Sequence, residues 1–334
     1  MLMNYASIII IYVVSSIVTI ISAVSSIAIE KKFRFLCKDV HKPYEHFVPC
    51  IGGFSLYLGF CTGLYLMFSL NMISHELFAV SMLSVSIATF IGFLDDINGL
   101  RSRWKILLGF LPAIPILVSG CYVPRPWLPF IGHTRIYVIY PLLILLSSTV
   151  YINGANMTDT HNGTLPMFVF TISLFTFLLK LSIHAEVQDI YIALLMVVVI
   201  ASYLVFNIYP AKLFNGNTGS HLLGSLIFLI TVLFRLEFFV ILASIPMFLN
   251  GFYYISSVKG FIQKEKIDRP TYVDRDGCIY PKPGIHPLTF VKILLMFAKD
   301  SFSEKELVAI MYSIYLYTSF LSFMMCILLG YSEQ

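Results

Sequence analysis

The sequence predicts an all-α, polytopic membrane protein of about ten transmembrane helices, with a small water-facing region, built around a β-hairpin, before the last helix. Three observations carry this. Of 334 residues, 58% are hydrophobic and only 12% charged, and the mean hydropathy is +0.85, whereas a soluble domain carries about a quarter charged residues. Apolar runs recur at close to the ~20 residues that a helix rising ~1.5 Å per residue needs to cross ~30 Å of hydrocarbon. Lys and Arg collect in every second gap between those runs, as cationic flanks retained on the cytoplasmic side do.

The runs fall near 5–29, 48–70, 76–94, 106–121, 136–152, 165–183, 189–209, 221–234, 237–256 and 307–330. The first is too long for a signal-peptide core and no small-residue cleavage site precedes Glu30 and Lys31, so it reads as a retained helix. The fourth, fifth and eighth are short, and Pro112 and Pro115 predict a kink in the fourth. Lys31, Lys32, Arg34, Lys38 and Lys42 after the first run place the amino terminus outside. Ten alternating spans then put 18 of the 22 Lys and Arg residues inside, leaving only Arg125, Arg135, Lys180 and Arg235 outside. A missed span would scramble that alternation.

The chain reads as a single transmembrane domain, 1–334, with a cytoplasmic insert at 257–306. The insert holds a Lys-rich run, a strand-like piece around Asp276 and Gly277, whose Asp-Gly pair marks a hairpin turn, and a segment from Leu288 to Asp300 whose pattern suits a helix at the membrane surface. The six cysteines, at 37, 50, 61, 121, 278 and 326, form no CxxC pair and no metal-ligand spacing. Packing roles are expected for them, with neither a disulfide framework nor a zinc site. A net charge of +4 is too small to argue for nucleic acid.

Three inward-facing loops carry the chemistry. In residues 93–105, Asp95 and Asp96 end the third run, followed by Arg101, Arg103 and Lys105. Adjacent carboxylates can ligate a hard divalent cation and accept a proton, although alone the pair also suits an ordinary helix end. In residues 153–163, Asn153, Asn156, Asp159 and Asn162 recur every third position, which a helical turn would place on one face; their oxygens suit magnesium or the edge of a nucleobase, and a polar turn between spans is the plainer reading. In residues 214–220, glycines flank Asn217 and lead into the eighth run, where the unpaired amides of a helix start suit a phosphate. Each motif is weak alone; together they share one membrane face.

With these motifs in order, the chain resembles the polyprenyl-phosphate sugar-1-phosphate transferases, and within them the eukaryotic and archaeal branch that uses UDP-GlcNAc and dolichyl phosphate. Gly52 and Gly53 look like the family's glycine pair entering the second span. Asp95, Asp96 and Lys105 resemble its paired aspartates and phosphate-side lysine. Asn156 matches a magnesium-ligand position and Asn162 a uridine contact, while Asp159 is more like the bacterial branch. Two departures stand out: Asn217 occupies a position where the family usually has a carboxylate for magnesium, and the last loop lacks the family's His-rich or Arg-x-x-Arg pattern, offering Arg269 and His286 instead.

The resemblance implies transfer of GlcNAc-1-phosphate from UDP-GlcNAc to dolichyl or another polyprenyl phosphate on the cytoplasmic face, with release of UMP, as the first step of lipid-linked oligosaccharide synthesis for N-glycosylation. It implies Asp95, Asp96 and Lys105 as catalytic residues, with Asp95 as base. Substrate contacts then fall to Asn153, Asp159, Asn162, Arg269 and His286, and the metal to Asp96, Asn156 and Asn217. Magnesium, which manganese can replace, is the implied cofactor; the UDP-sugar, the lipid phosphate and bulk membrane lipid are the implied partners, and a homodimer is compatible with it. The membrane is that of the endoplasmic reticulum or a prokaryotic plasma membrane. Rival expectations are another UDP-sugar with a bacterial-type lipid carrier, or a polytopic transporter.

Overall fold

A computed structural model describes residues 5–258, 269–283, 288–298 and 301–332. Helical segments occupy each of the ten apolar runs. They are α1 (Tyr5–Phe33), α2 (Gly53–Ser69), α3 (His75–Asn98), a broken segment α4 (Ser102–Leu108) and α5 (Ile114–Ser119), α6 (Tyr140–Thr158), α7 (Thr164–Ser182), α8 (Val187–Asn207), α9 (Gly216–Val232), a bent pair α10 (Glu237–Ala243) and α11 (Ile245–Val258), and, after the short α12 (Phe290–Ala298), α13 (Glu304–Leu328). By length and composition six of the ten can cross a membrane, and a seventh if the bent pair forms one span. The other three, α2, α6 and α9, are shorter or more polar, so the ten-span count stays an expectation.

Local chemistry explains the breaks. The fourth run is interrupted where expected, by a 3-10 turn at Leu111–Ala113 containing Pro112, with Pro115 in the first turn of α5. The 60° bend between α10 and α11 falls just before Pro246, which has no amide proton for the preceding turn. Ser74 caps α3 by accepting the Leu77 amide, and Gly99, at φ +62°, ends it. A capping box between Ser303 and Glu306 starts α13.

Helix α9 is the axis of the molecule. Every residue from Thr218 to Val232 is buried, and α9 packs against α2, α3, α6, α7 and α10. An apolar helix surrounded by protein can be shorter than a lipid-facing span, because the bilayer no longer sets its length. Its Ser220, Ser225 and Thr231 hydroxyls bond back to carbonyls three or four residues earlier, which satisfies them without water. By contrast α1 turns Ile9, Ile10, Val13, Ile21 and Val24 outward, as a lipid-facing helix must. The far side of the bundle is pinned by buried charge: Lys180 pairs with Asp189 at 2.9 Å and lies over the Phe234 ring, Tyr140 bonds Glu237, and Tyr331 donates to the Arg235 carbonyl.

Three small antiparallel sheets decorate the loops. Strands β1 (Leu36–Lys38) and β2 (Phe47–Pro49) follow α1, and β3 (Trp127–Leu128) and β4 (Gly132–His133) follow α5. The expected hairpin in the insert is present, with β5 (Thr271–Val273) and β6 (Cys278–Pro281) joined through Gly277 at φ +82°, and β7 (Phe302–Ser303) adds a third strand. Helix α12 falls within the segment expected to be helical, with Met296 and Phe297 exposed. The reading of the cysteines needs correction: Cys37 and Cys50 form a disulfide. Cys37 lies opposite Val48 in the β1–β2 register, which brings the two Cα atoms to 5.7 Å, within disulfide reach. No motif spacing signals that pairing.

The start of α2 meets the start of α9 backbone to backbone: the Gly52 and Gly53 amides donate to the Phe214 and Asn215 carbonyls, and a Cβ on Gly53 would collide with the Gly219 backbone. Gly53→Ala should therefore lower stability by at least about 1–3 kcal/mol through forced overpacking, whereas Gly251→Ala, with open space around its Cβ, should not. Thermal midpoints of the two variants in detergent check this.

Candidate active site

Asp95 and Asp96 close α3, and one residue of helical rotation sends them in different directions. Asp95 is almost fully enclosed, its side chain 1% exposed. Its Oδ1 accepts the Leu100 amide at 2.8 Å, tying down the chain reversal after Gly99. Its Oδ2 lies 2.7 Å from Lys105 Nζ; the contact is charge pairing, since the two are not aligned as a hydrogen bond. Asp96 instead faces α9. It accepts from the Asn217 amide at 2.7 Å, the Thr218 amide at 2.8 Å and the Thr218 hydroxyl at 2.6 Å. The expectation that the start of α9 offers free amides to a phosphate is thus corrected: an internal carboxylate already takes the first of them, where the positive end of the helix dipole favours an anion. Gly216 makes the approach possible: at φ +64°, it holds a conformation L side chains rarely adopt, and a Cβ there would lie 2.8 Å from Asp96 Oδ2.

The amides of the second motif divide as well. Helix α6 ends at Thr158, so the spacing of three does not continue as one helical face. Asn153 is turned toward α4, its amide donating to the Thr149 and Lys105 carbonyls; it braces the segment that carries Lys105 and does not line the cavity. Asn156 Nδ2 donates to Asn217 Oδ1 at 2.7 Å, and Asn215 Nδ2 donates to Asp159 Oδ1 at 2.8 Å. The second and third motifs are thus stitched together by side-chain amides. Asn162 is buried and reaches Asp39 Oδ2 at 3.5 Å.

These groups surround one cavity of about 310 Å³, lined by Asp96, Asn156, Asp159, Asn162, Asn217 and the first loop from Cys37 to His41. Asp95, Lys105, Asn153 and Arg269 are not among its lining residues; Arg269 is exposed, and His286 lies outside the described residues. The donor chemistry fits a hard divalent cation. Asp96, Asp159, Asn156 and Asn217, which carry carboxylate and amide oxygens, line the cavity, and the buried Asn215 Oδ1 has no hydrogen-bond partner among the described residues.

The first loop is the part of the site that sequence reading missed, because its charges served only to orient the chain. Asp39 and His41 line the cavity, and Lys42 stands directly behind them. The His41 ring stacks on that of His161 with centroids 4.0 Å apart, giving His161 a contact its sequence context does not suggest. Burial pushes His41 down to about 4, against the opposing charge of Asp39, and holds His161 well below the usual imidazole range, so both rings are neutral at pH 7. The AspValHisLys run at 39–42, with an anionic and a cationic group three apart around a histidine, is the signal that could have found them.

Comparison with known proteins sharpens this. Residues 78–235 match the family described as glycosyl transferase family 4. A protein of Saccharolobus solfataricus, provisionally named UDP-N-acetylglucosamine–dolichyl-phosphate N-acetylglucosaminephosphotransferase, is 29% identical over 216 residues, 64% of this chain and 67% of its own. One of the same provisional name from Sulfolobus acidocaldarius is 29% identical over 238 residues, 68% of this chain and 71% of its own. The phospho-N-acetylmuramoyl-pentapeptide-transferase of Thermotoga petrophila is 31% identical over 216 residues, 61% of this chain and 66% of its own.

Two outcomes follow from the geometry. Asp95→Ala leaves Lys105 without its partner and should destabilise the protein by about 3 kcal/mol, as breaking a buried pair does, read as a lower thermal midpoint. His41 has its folded pKa, about 4, below the ordinary imidazole value of 6.5. Its stabilising contribution is therefore complete above pH 6.5 and lost as pH falls toward 4, because the unfolded chain takes up the proton first. A midpoint-versus-pH series should show that fall, and His41→Gln should flatten it.

Proposed function

From its membership of glycosyl transferase family 4, to which this chain belongs as a membrane-embedded phosphotransferase, we propose that it transfers N-acetylglucosamine-1-phosphate from UDP-GlcNAc to a dolichyl-type polyprenyl phosphate. The coarser reading, a sugar-1-phosphate transferase acting on a polyprenyl phosphate, agrees with both the archaeal and the bacterial relatives; the choice of UDP-GlcNAc with a dolichyl-type lipid follows the archaeal pair. The observation that supports the reading best is the convergence of the loops after α1, α6 and α8 and the last turn of α3 on one polar cavity. Ten spans with the amino terminus outside would put that cavity at the cytosolic surface, where a soluble nucleotide sugar and a membrane-anchored phosphate can meet.

In the proposed reaction an oxygen of the lipid phosphate bonds to the β-phosphorus of the nucleotide sugar, the bond from that phosphorus to the bridging oxygen breaks, and UMP leaves with the electron pair. A phosphate monoester has a second pKa near ~6, so at neutral pH the nucleophile is already largely deprotonated and the main barrier is repulsion between two anions. Asp96 lines the cavity, which supports it as the carboxylate that acts on substrate. Asp95, enclosed with Lys105, acts on the position of that lysine. Asp96, Asn156, Asn217 and Asp159 would hold magnesium, which when bound supplies charge neutralisation for both phosphates. The rigid amide pairs Asn156–Asn217 and Asn215–Asp159 keep those oxygens preorganised, so that little reorganisation is needed as charge shifts.

Purified protein in nanodiscs, given UDP-GlcNAc, a polyprenyl phosphate and magnesium, should release UMP and form a GlcNAc-diphospho-lipid. Chelation of the metal should stop the reaction. Asp96→Asn, which keeps a hydrogen-bond acceptor for the amides of α9, should lower the rate by ~10²-fold or more while the protein stays folded. A panel of UDP-sugars tests the donor: preference for UDP-MurNAc-pentapeptide would move the assignment to the bacterial branch, and substrate uptake into liposomes without UMP release would replace it by a transporter.

A further inference from the structure

One buried ionic cluster beside the cavity is not used by the reaction described above. Lys42 Nζ lies 2.6 Å from Glu304 Oε2 and 3.9 Å from Asp39 Oδ2, with its side chain only 9% exposed and both carboxylates 2% exposed. It also sits over the Tyr209 ring, 4.2 Å from the centroid. Burial alone would depress this ammonium, but the bond to Glu304 and the charges of Glu304 and Asp39 outweigh that and raise it, so it stays protonated. Lys42 is absent from the cavity lining, whereas Asp39 is part of it.

The three groups come from parts of the chain that no continuous element connects. Asp39 and Lys42 belong to the first loop. Glu304 opens α13 directly after β7, the third strand of the sheet in the C-terminal insert. Both arms then reach the same residue: Asp39 takes the Asn162 side-chain amide at 3.5 Å, and Tyr312, two turns along α13, donates to the Asn162 carbonyl at 3.1 Å. Two carboxylates enclosed together repel unless a cation lies between them. Lys42 is that cation, so its position fixes how closely the insert and the start of α13 can approach the wall that carries Asn162.

We propose that Lys42 is a positioning residue for the nucleotide sugar: by bridging Asp39 and Glu304 it sets the C-terminal sheet and the start of α13 against the Asn162 wall of the cavity, and so tunes donor affinity without taking part in phosphoryl transfer. This rests on the transferase reading given above. A residue that acts in this way changes the KM for the donor and leaves kcat and the lipid KM alone.

The test compares wild type, Glu304→Gln, Lys42→Arg and Lys42→Met in nanodiscs with UDP-GlcNAc and polyprenyl phosphate, together with hydrogen exchange at residues 159–163. Glu304→Gln should raise the donor KM by ~10-fold with kcat and lipid KM within ~2-fold, Lys42→Arg should restore most of the affinity lost in Lys42→Met, and the double variant Lys42→Met with Glu304→Gln should be no worse than Lys42→Met, as coupled residues behave. Exchange at 159–163 should quicken in Glu304→Gln. An unchanged donor KM in Glu304→Gln, a fall in kcat alone, or Lys42→Arg as damaging as Lys42→Met would overturn the proposal. If Lys42→Met does not fold, Glu304→Gln and Lys42→Arg decide. A wild type that turns over no nucleotide sugar would defeat the transferase reading instead; exchange at 159–163 still reads the bridge in that case, and unaltered exchange in Glu304→Gln would defeat it too.

Discussion

Asp96 stands where the last turn of α3 meets the first turn of α9, and its carboxylate receives two backbone amides and a hydroxyl from that turn. A charged group at this depth is costly unless it is bonded on all sides, and an open helix start carries amides that need acceptors. Each solves the other's problem. The solution requires the two backbones to come very close, which is why glycine stands at 216, where a side chain would run into the carboxylate. The same logic repeats on the neighbouring side, where Gly53 lets α2 lie directly on α9. The buried axis of the fold and the floor of the cavity are therefore one construction.

Around that junction the site is assembled from amides more than from charges. Asn156 holds Asn217, and Asn215 holds Asp159, so the loops after α6 and α8 are fixed to each other before any ligand arrives. An amide at 217 in place of a carboxylate removes one negative charge from a cavity that already has Asp39, Asp96 and Asp159 in its wall. For a site proposed to bring two phosphates together, fewer fixed anions mean less repulsion to overcome. The remaining oxygens still suit a hard cation, with more of the charge balance left to the ligands themselves.

Much of this was legible in the residues. Hydrophobic run length located the helical segments, because that signal acts over whole segments and tolerates local error. Pro112 and Pro115 marked a real break, and the Asp276–Gly277 pair a real hairpin. The finer roles were not legible. Adjacent aspartates look alike in a sequence, yet the ~100° rotation between successive helical residues buries Asp95 against Lys105 and turns Asp96 into the cavity. The spacing of three from Asn153 to Asn162 does not make one helical face, since the helix ends at Thr158 before Asp159 and Asn162, and Asn153 serves α4. Cys37 and Cys50 pair because a short hairpin folds the chain back, not because of any motif.

By itself, then, the sequence determined the solvent this protein folds in, the order of its helices and the polar motifs that meet at the cavity. Those properties are sums or periodicities along the chain. Only the tertiary structure decided which of those residues meet. Asp39, Lys42, Asn162 and Glu304 form one cluster across 265 positions of chain, and His41 stacks on His161, because helices that cross the bilayer return distant loops to the same surface. The contacts that make the cavity depend on how those helices pack side by side, and no local pattern encodes that.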